Sequence, residues 1–266
     1  MKFLIAVKSC EYDRRRDAHQ LIRATWGRDV KDADLRFFLG GGLATAEDET
    51  LVLAPDDYPG LPWKTREIAR WAVRENYDYA LLCDTGSFVI PHHLVTCGFE
   101  KYDYSGYWCM KPGSFSYTAQ SRVPGCEATK IPVCHPWASG GGYILSRKAL
   151  ELVANALPFV WAEDLHVGQA LAMRGVYLHD LAQEGFKGYV VDWIPDEDNS
   201  GSIHNRAVWM QAKYEEAKNR CATEGCNSPK WRRTQILRDN PHGDREEVEK
   251  ILKQRMEERT RSKEIK

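Results

Sequence analysis

An aspartate at the end of an apolar run is the first residue in this chain whose position suggests chemistry. Asp84 follows the apolar run LLC in the stretch LLCDTGSFV. A carboxylate at the end of a buried strand loses its water unless a cation, a ribose hydroxyl or backbone donors meet it. A second acidic residue two positions later would let the loop bind a divalent cation, but Gly86 stands there. Asp84 is a candidate ligand for a metal or a sugar nucleotide, and a structural aspartate is the alternative.

Two adjacent acidic residues, Glu163 and Asp164, follow an apolar run and open a predicted helix in FVWAEDLHVGQAL. Acidic side chains at a helix start suit its dipole, so ordinary N-terminal charges are one interpretation. The other is a general base at a pocket wall, where a carboxylate takes the proton of a hydroxyl group as that hydroxyl attacks. The residues alone leave both interpretations open.

The stretch CHPWASGGGYILS places Trp137 just before the three consecutive glycines 140–142. Glycines allow close backbone approach, and a simple turn is the alternative. Trp137 is either a core residue or a platform for a sugar ring, because aromatic rings beside polar glycine turns suit carbohydrate faces.

Basic side chains follow the predicted strand ends. They are Arg14, Arg15, Arg16, Arg23 and Lys64. Each alone fits a surface or salt-bridged role, but together they could meet a pyrophosphate, for which arginine offers a fork and lysine a point charge. His204, in GSIHN, is a single loop histidine, and a structural role is the more common one for such a residue.

Apolar runs alternate with helical stripes along the first part of the chain. Strands are predicted at 3–7, 35–39, 51–53 and 79–83, and helices at 14–26 and 64–76. This alternation predicts an α/β fold with a mostly parallel central sheet. Ligands of such sheets bind at the carboxyl ends of the strands, where Ser9, Gly40 and Asp84 lie.

The second half of the chain is less regular. We expect an irregular lobe at 104–134, a glycine turn and a helix at 139–156, a helix at 164–174 and a strand at 176–181. From about residue 207 the pattern becomes a long, charged helix. The chain therefore divides into a domain at 1–206 and a charged helical C-terminal extension at 207–266. This extension is either a solvated helix or one that docks a partner.

Composition excludes several classes of protein. The 37 basic and 38 acidic residues give a net charge of −1, which argues against an obligate polyanionic partner. The apolar run 3–7, closed by Lys8, is too short for an export signal, and no run reaches the roughly 18 apolar residues of a membrane span. Eight scattered cysteines favour reduced thiols over disulfides or structural zinc. We expect a soluble, cytoplasmic protein.

Six motifs together resemble the beta-1,3-galactosyltransferase and Fringe-like glycosyltransferase family. In family order they are RRRDAHQLIRATWG at 14–27, FFLG at 37–40, DDYPGLPWKT at 56–65, CDTGSFV at 83–89, PWASGGGYILS at 136–146 and AEDLHVG at 162–168. The match covers roughly residues 1–205. It implies a GT-A type, Rossmann-like fold, a nucleotide-sugar donor such as a UDP-sugar, and inverting transfer to an acceptor hydroxyl.

The resemblance also implies roles for individual residues. Asp164 matches the aspartate of the family's EDV motif, the expected catalytic base, and Asp84 is the first position of its DDD triplet. With the neighbouring strand-end residues, the donor-side candidates are Ser9, Arg15, Arg23, Lys64, Asp84 and Thr85. The acceptor-side candidates are Trp137, Gly140, Gly141 and Glu163.

The chain departs from the family at the metal motif. The third aspartate, the family's principal metal ligand, is replaced by Gly86. Three explanations remain. Cationic side chains could neutralise the leaving diphosphate without metal, Asp84 and His204 could hold Mn²⁺ or Mg²⁺ with water, or activity has been lost and a nucleotide-sugar or glycan-binding protein remains.

The acceptor is expected to be a glycan hydroxyl. Modified DNA is an alternative, suggested by the RRR cluster and by KWRRT at 230–234, but the near-zero net charge opposes a nucleic-acid partner.

Overall fold

The computed structural model describes residues 1–95, 97–108, 116–119, 129–132, 135–160, 162–181, 190–192 and 209–215. In chain order the strands are β1 Phe3–Lys8, β2 Asp34–Leu39, β3 Glu49–Leu51, β4 Tyr79–Asp84, β5 Ser87–Val89, β6 Tyr104–Trp108, β7 Ser116–Ala119, β8 Thr129–Pro132, β9 Ala138–Ser146, β10 His179–Asp180 and β11 Val190–Asp192. The α-helices are α1 Glu11–Arg15, α2 Ala18–Ala24, α3 Leu61–Arg74, α4 Pro91–Leu94, α5 Arg147–Asn155 and α6 Glu163–Ala172.

A seven-stranded sheet with the strand order β10-β6-β9-β4-β1-β2-β3 forms the centre of the fold. β1 is parallel to both β2 and β4, β2 is parallel to β3, and β6 is parallel to β10. β9 is antiparallel to its two neighbours, β4 and β6. The prediction of an α/β fold with a mostly parallel central sheet is therefore confirmed.

The central strands β1 and β4 are buried on both faces, which explains their continuous apolar runs. In β1, Phe3, Ile5 and Val7 pack into one core with α2, whereas Leu4 and Ala6 pack into a second core with α3, α5 and α6.

Residues 209–215 are helical, and Met210 and Tyr214 are buried in the first core. Among the described residues, no helix combines the length and apolar character that crossing a bilayer requires.

In the described residues, the glycine-containing stretches differ from two expectations. Residues 109–115, 120–128, 133 and 134 of the expected irregular lobe lie outside the described residues. The run SGGGY is not a turn but part of β9, the longest strand among the described residues, because its backbone completes the sheet between β4 and β6. The start of the expected irregular lobe is β6, in which Gly106 lies opposite Tyr143. A Cβ at Gly106 would collide with Ala138, so a small residue is needed where these strands meet.

The other predicted elements occur with small shifts. The helix expected at 14–26 is divided into α1 and α2 by Asp17, whose φ of 61° is left-handed. The third strand lies slightly earlier than expected, at Glu49–Leu51, and the helix at 64–76 begins at Leu61. The extension expected at 207–266 lies outside the described residues except for its helical piece at 209–215.

Candidate functional site

The candidate site lies at the carboxyl ends of β1 and β4, where the strand order reverses. The last residues of these strands, Lys8 and Asp84, are register partners. In open α/β sheets this reversal leaves a crevice in which ligands bind. β9 brings Gly140 to the same edge, and the first turn of α6 brings Glu163 and Asp164.

Lys8 is the buried cation of the site. Its Nζ donates to Oε2 of Glu163 at 2.7 Å and to the carbonyl oxygen of Gly140 at 3.3 Å, and lies 3.3 Å from Oδ1 of Asp84. Only 1% of the side chain is exposed. Burial alone would lower the pKa of Lys8, but the Asp84 and Glu163 carboxylates outweigh burial and raise it above its ordinary value. Lys8 therefore stays charged.

Glu163 is enclosed by donors. In addition to Lys8, the hydroxyl of Thr65 donates to its Oε1 at 2.7 Å, and the hydroxyl of Tyr143 donates to the same oxygen. Burial, reinforced by the Glu163 carboxylate, raises the pKa of Tyr143 well above its usual value, so Tyr143 remains a donor. Glu163 thus ties α6 to β1, α3 and β9. Its predicted acceptor-binding role stays a prediction.

Asp164 is partly exposed and is oriented by backbone groups. The amide of Gly140 donates to its Oδ2 at 3.1 Å, and the amide of Leu165 donates to its Oδ1 at 2.7 Å. Burial raises the pKa of Asp164 and the Glu163 carboxylate raises it further, while Lys8 and the two amides oppose the change. A fixed carboxylate with a raised pKa is a stronger base than an ordinary aspartate, which suits proton abstraction.

Asp84 keeps 45% of its side chain exposed beside the buried Lys8. The next residue, Thr85, is buried, its hydroxyl donates to Oδ2 of Asp13 at 2.5 Å, and its donor-binding role stays a prediction. A Cβ at Gly86 would have no heavy atom of the described residues within 4 Å, so the position borders open space in that part of the chain. Asp84 can therefore accept a hydroxyl or another donor from a ligand.

The described residues do not fit a divalent cation. Among them, no group of three histidine, cysteine or acidic residues could hold a metal ion. The Asp84 oxygen faces the ammonium of Lys8, and Gly86 supplies no ligand. His204 lies outside the described residues. We assign no chemical step to Mn²⁺ or Mg²⁺.

Ser9 and Arg23 belong to one buried polar chain. The hydroxyl of Ser9 lies 2.7 Å from Nε2 of His19, whose Nδ1 lies 2.8 Å from Oε1 of Glu49. Arg23 pairs with both oxygens of Asp48, at 2.8 and 2.5 Å, and reaches Glu49 at 3.4 Å. Burial lowers the pKa of His19 despite its contact with Glu49. This chain braces the end of β1 against β3.

Lys64 and Arg15 have different surroundings. The Lys64 ammonium is buried, donates to the Ser9 carbonyl and pairs with Asp56 at 2.8 Å. Arg15 is 75% exposed and its Nε donates to Glu11 at 2.7 Å. Lys64 is thus attached to the end of β1, whereas Arg15 lies at the surface of α1. Donor binding by these two residues stays a prediction.

Trp137 is 3% exposed and packs against Val160 and Leu165. Gly168 of α6 lies so close that a Cβ there would collide with the Cβ of Trp137. The carbonyl oxygen of Gly141 accepts a hydrogen bond of 2.7 Å from the Ser87 hydroxyl. Trp137 occupies a core position in this structure, and its proposed contact with an acceptor sugar stays a prediction.

Sequence reasoning missed several residues of the site. Lys8 closes the apolar run 3–7, and a lysine at the end of a buried strand is itself a signal of a buried, paired charge. His19, Thr65 and Tyr143 lie in helices and in β9, and their partners are distant in sequence. No spacing rule could have identified those pairs.

No protein-family model matches this chain, and no curated protein matches it either. Solved structures that align with about four fifths of this chain include the following three. A glycosyltransferase involved in the glycosylation of the major capsid of PBCV-1 is 13% identical, with 79% of this chain and 99% of that chain covered and a TM-score of 0.44. A putative glucose-1-phosphate thymidylyltransferase from Bacillus anthracis is 12% identical, with 79% and 95% covered and a TM-score of 0.45.

The third is a 2-C-methyl-D-erythritol 4-phosphate cytidylyltransferase from Thermus thermophilus. It is 13% identical, with 81% of this chain and 100% of that chain covered and a TM-score of 0.45. With identities of 12 to 13% and TM-scores of 0.44 to 0.45, the three structures do not assign a family to this chain. The resemblance to Fringe-like glycosyltransferases rests on the six sequence motifs.

Proposed function

We propose that this chain is a GT-A type glycosyltransferase that transfers a sugar, with inversion, from a nucleotide-sugar donor to an acceptor hydroxyl. The observation that supports this proposal most directly is the arrangement of Asp164. Its carboxylate is oriented by Gly140 and Leu165 and lies at the same sheet edge as Lys8 and Asp84. This arrangement supports the proposal, because it brings the proposed base and the proposed donor-side carboxylate to one edge of the sheet.

In the proposed reaction, Asp164 takes the proton of the acceptor hydroxyl. The acceptor oxygen attacks the anomeric carbon in line, and the bond from that carbon to the phosphate oxygen breaks. The nucleoside diphosphate leaves with the bonding electron pair. Asp84 accepts a donor hydroxyl through its exposed side. The exposed Arg15 is the cation that we propose at the diphosphate, and the buried Lys64 adds positive charge behind it, since cations can stabilise the leaving group without a metal.

Donor binding is tested by thermal shift of the full chain with common nucleotide sugars and free diphosphates, each with Mn²⁺ or with a chelator. A ligand that binds only the folded state raises its apparent stability. Transfer is then measured with the stabilising donor. Asp164→Asn should keep the shift and lose at least about a hundredfold in transfer, the usual contribution of a general base.

Asp103→Asn is the matched control. Asp103 pairs with Lys148 on the surface at 2.6 Å, so its substitution should leave transfer unchanged. Full turnover by Asp164→Asn would exclude Asp164 as the base.

A second candidate function is a nucleotide-sugar or glycan-binding protein without catalysis. Gly86, and the absence of a three-ligand group among the described residues, favour it. This alternative predicts donor binding without product in the presence of any metal.

A DNA acceptor is a weaker alternative. It would require steeply salt-dependent acceptor turnover, because phosphate contacts release counterions.

A further inference from the structure

Lys8 contacts three other elements of the candidate site, although none of the six motifs includes it. From the end of β1 its ammonium meets Asp84 at the end of β4, the Gly140 carbonyl in β9 and Glu163 in α6. It also lies over the ring of Tyr143, 5.3 Å from its centroid. One buried cation thus joins four elements at a single point.

These contacts connect the two halves of the proposed reaction centre. Asp84, on the donor side, is an ion-pair partner of Lys8. Asp164, the proposed base, accepts a hydrogen bond from the amide of Gly140 and directly follows Glu163. The Lys8 ammonium donates hydrogen bonds to the carbonyl of Gly140 and to the carboxylate of Glu163. A fixed ammonium therefore sets the position of Asp84 relative to Asp164.

We propose that Lys8 is a positioning residue, which holds the donor-side carboxylate Asp84 and the N-terminus of α6, with the base Asp164, in one arrangement. This inference rests on the proposed function for its catalytic consequence. Its structural content, that Lys8 governs the surroundings of Asp164, is independent of any substrate.

Loss of Lys8 should change how Asp164 ionises. Among the described residues, the charged or titratable groups that interact electrostatically with Asp164 are Glu163 on its own helix, Lys8 on β1 and Tyr143 on β9. Glu163 favours protonation of Asp164, and Lys8 is the cation that opposes it. Without Lys8 the carboxylate should therefore stay protonated to a higher pH.

The test compares Lys8→Met with Lys64→Met in the full chain labelled with ¹³C at the aspartate carboxyl groups. Asp164→Asn assigns the Asp164 signal. Both lysines are buried and ion-paired, so both variants should lose stability. Only Lys8→Met should move the Asp164 titration midpoint upward. An unchanged midpoint in Lys8→Met, or an equal movement in Lys64→Met, would overturn the proposal.

A second pair of variants covers the case in which Lys8→Met does not fold. Glu163→Gln and Lys8→Met/Glu163→Gln differ only in Lys8, and the double variant leaves no unpaired Glu163 charge. The Asp164 midpoint should be higher in the double variant than in Glu163→Gln. Equal midpoints would contradict the proposal.

Turnover separates this inference from the proposed function. In an active enzyme, Lys8→Met should lower kcat at pH 7 by about tenfold and regain part of it at higher pH, where Asp164 ionises. A loss that is the same at every pH would count against a role through Asp164. If the wild-type chain shows no transfer, the proposed function fails, while the carboxyl titration still decides the role of Lys8.

Discussion

Glu163 and Asp164 are adjacent in the first turn of α6, yet their carboxylates have different environments. Glu163 is 5% exposed and receives hydrogen bonds from Lys8, Thr65 and Tyr143. Asp164 is partly exposed, and its two oxygens receive hydrogen bonds from the backbone amides of Gly140 and Leu165. Glu163 thus anchors the helix, and Asp164 keeps part of its side chain exposed.

Replacing Glu163 should therefore cost much more stability than replacing a surface glutamate. Glu163→Gln leaves Lys8 with Asp84 as its carboxylate partner, so the expected cost is that of a lost charged hydrogen bond, about 1.5 to 3 kcal/mol. Glu151→Gln is the control, since Glu151 is 51% exposed and pairs with Arg147, an interaction worth about 0 to 1 kcal/mol. The free energies of unfolding of the wild type and of both variants, measured in urea, test this prediction. Equal losses would argue against Glu163 as an anchor.

The free energy of unfolding should also depend on the close contact between Gly168 and Trp137. Gly168→Ala forces a Cβ into the Cβ of Trp137, and overpacking of this kind costs about 1 to 3 kcal/mol. Gly140→Ala is the matched substitution, because its Cβ would lie 3.7 Å from the nearest atom, an ordinary contact. The free energy of unfolding should fall clearly in the first variant and little in the second. The reverse order would place Trp137 outside the core.

The sequence predicted the central parallel pair, β1 and β4, because each of these strands contains a continuous apolar run. β1 and β4 are buried on both faces, so burial and sequence pattern agree. β9 and β6 were not predicted because their glycines suggested a turn and an irregular lobe. In these strands the glycine requirement is set by strand-to-strand contact, as at Gly106, which no local pattern encodes.

The candidate site was predictable only in part, and for a similar reason. The positions of Asp84 and Asp164 follow from the ends of predicted elements. The partners of those carboxylates do not, because Lys8 and Glu163 are 155 residues apart in sequence and meet only when β1 and α6 share a sheet edge. Topology determines this contact.

Gly86 offers a gain-of-function test of the metal motif. Gly86→Asp introduces a carboxylate two residues after Asp84 into open space, so we expect a stability change within about 0.5 kcal/mol. Because hard cations prefer oxygen ligands, the variant should bind Mn²⁺ at least about tenfold more tightly than the wild type in calorimetry. Gly86→Asn, similar in size but uncharged, is the control. Equal Mn²⁺ affinity in all three proteins would show that position 86 does not border a cation site.

His166 should make the fold sensitive to acid. Its ring is 1% exposed, and neither ring nitrogen has a hydrogen-bond partner within the part of the chain that the structure describes. Burial lowers the pKa of His166 to about 4, against about 6.5 in an unfolded chain. Between these values the unfolded chain binds a proton that the folded protein does not. The contribution of the neutral ring to the free energy of unfolding is fully present above about pH 6.5. It decreases as the pH falls from about 6.5 to about 4.

His166→Phe removes this titration and keeps an aromatic ring beside Phe159, whose centroid lies 4.8 Å from that of His166. The loss of unfolding free energy between pH 8 and pH 5 should be about 2 kcal/mol smaller in the variant than in the wild type. Denaturant unfolding at the two pH values measures it, with His135→Phe, at a partly exposed position, as the control. If the wild type and His166→Phe lose the same free energy, His166 is protonated in the folded protein and must have a partner there.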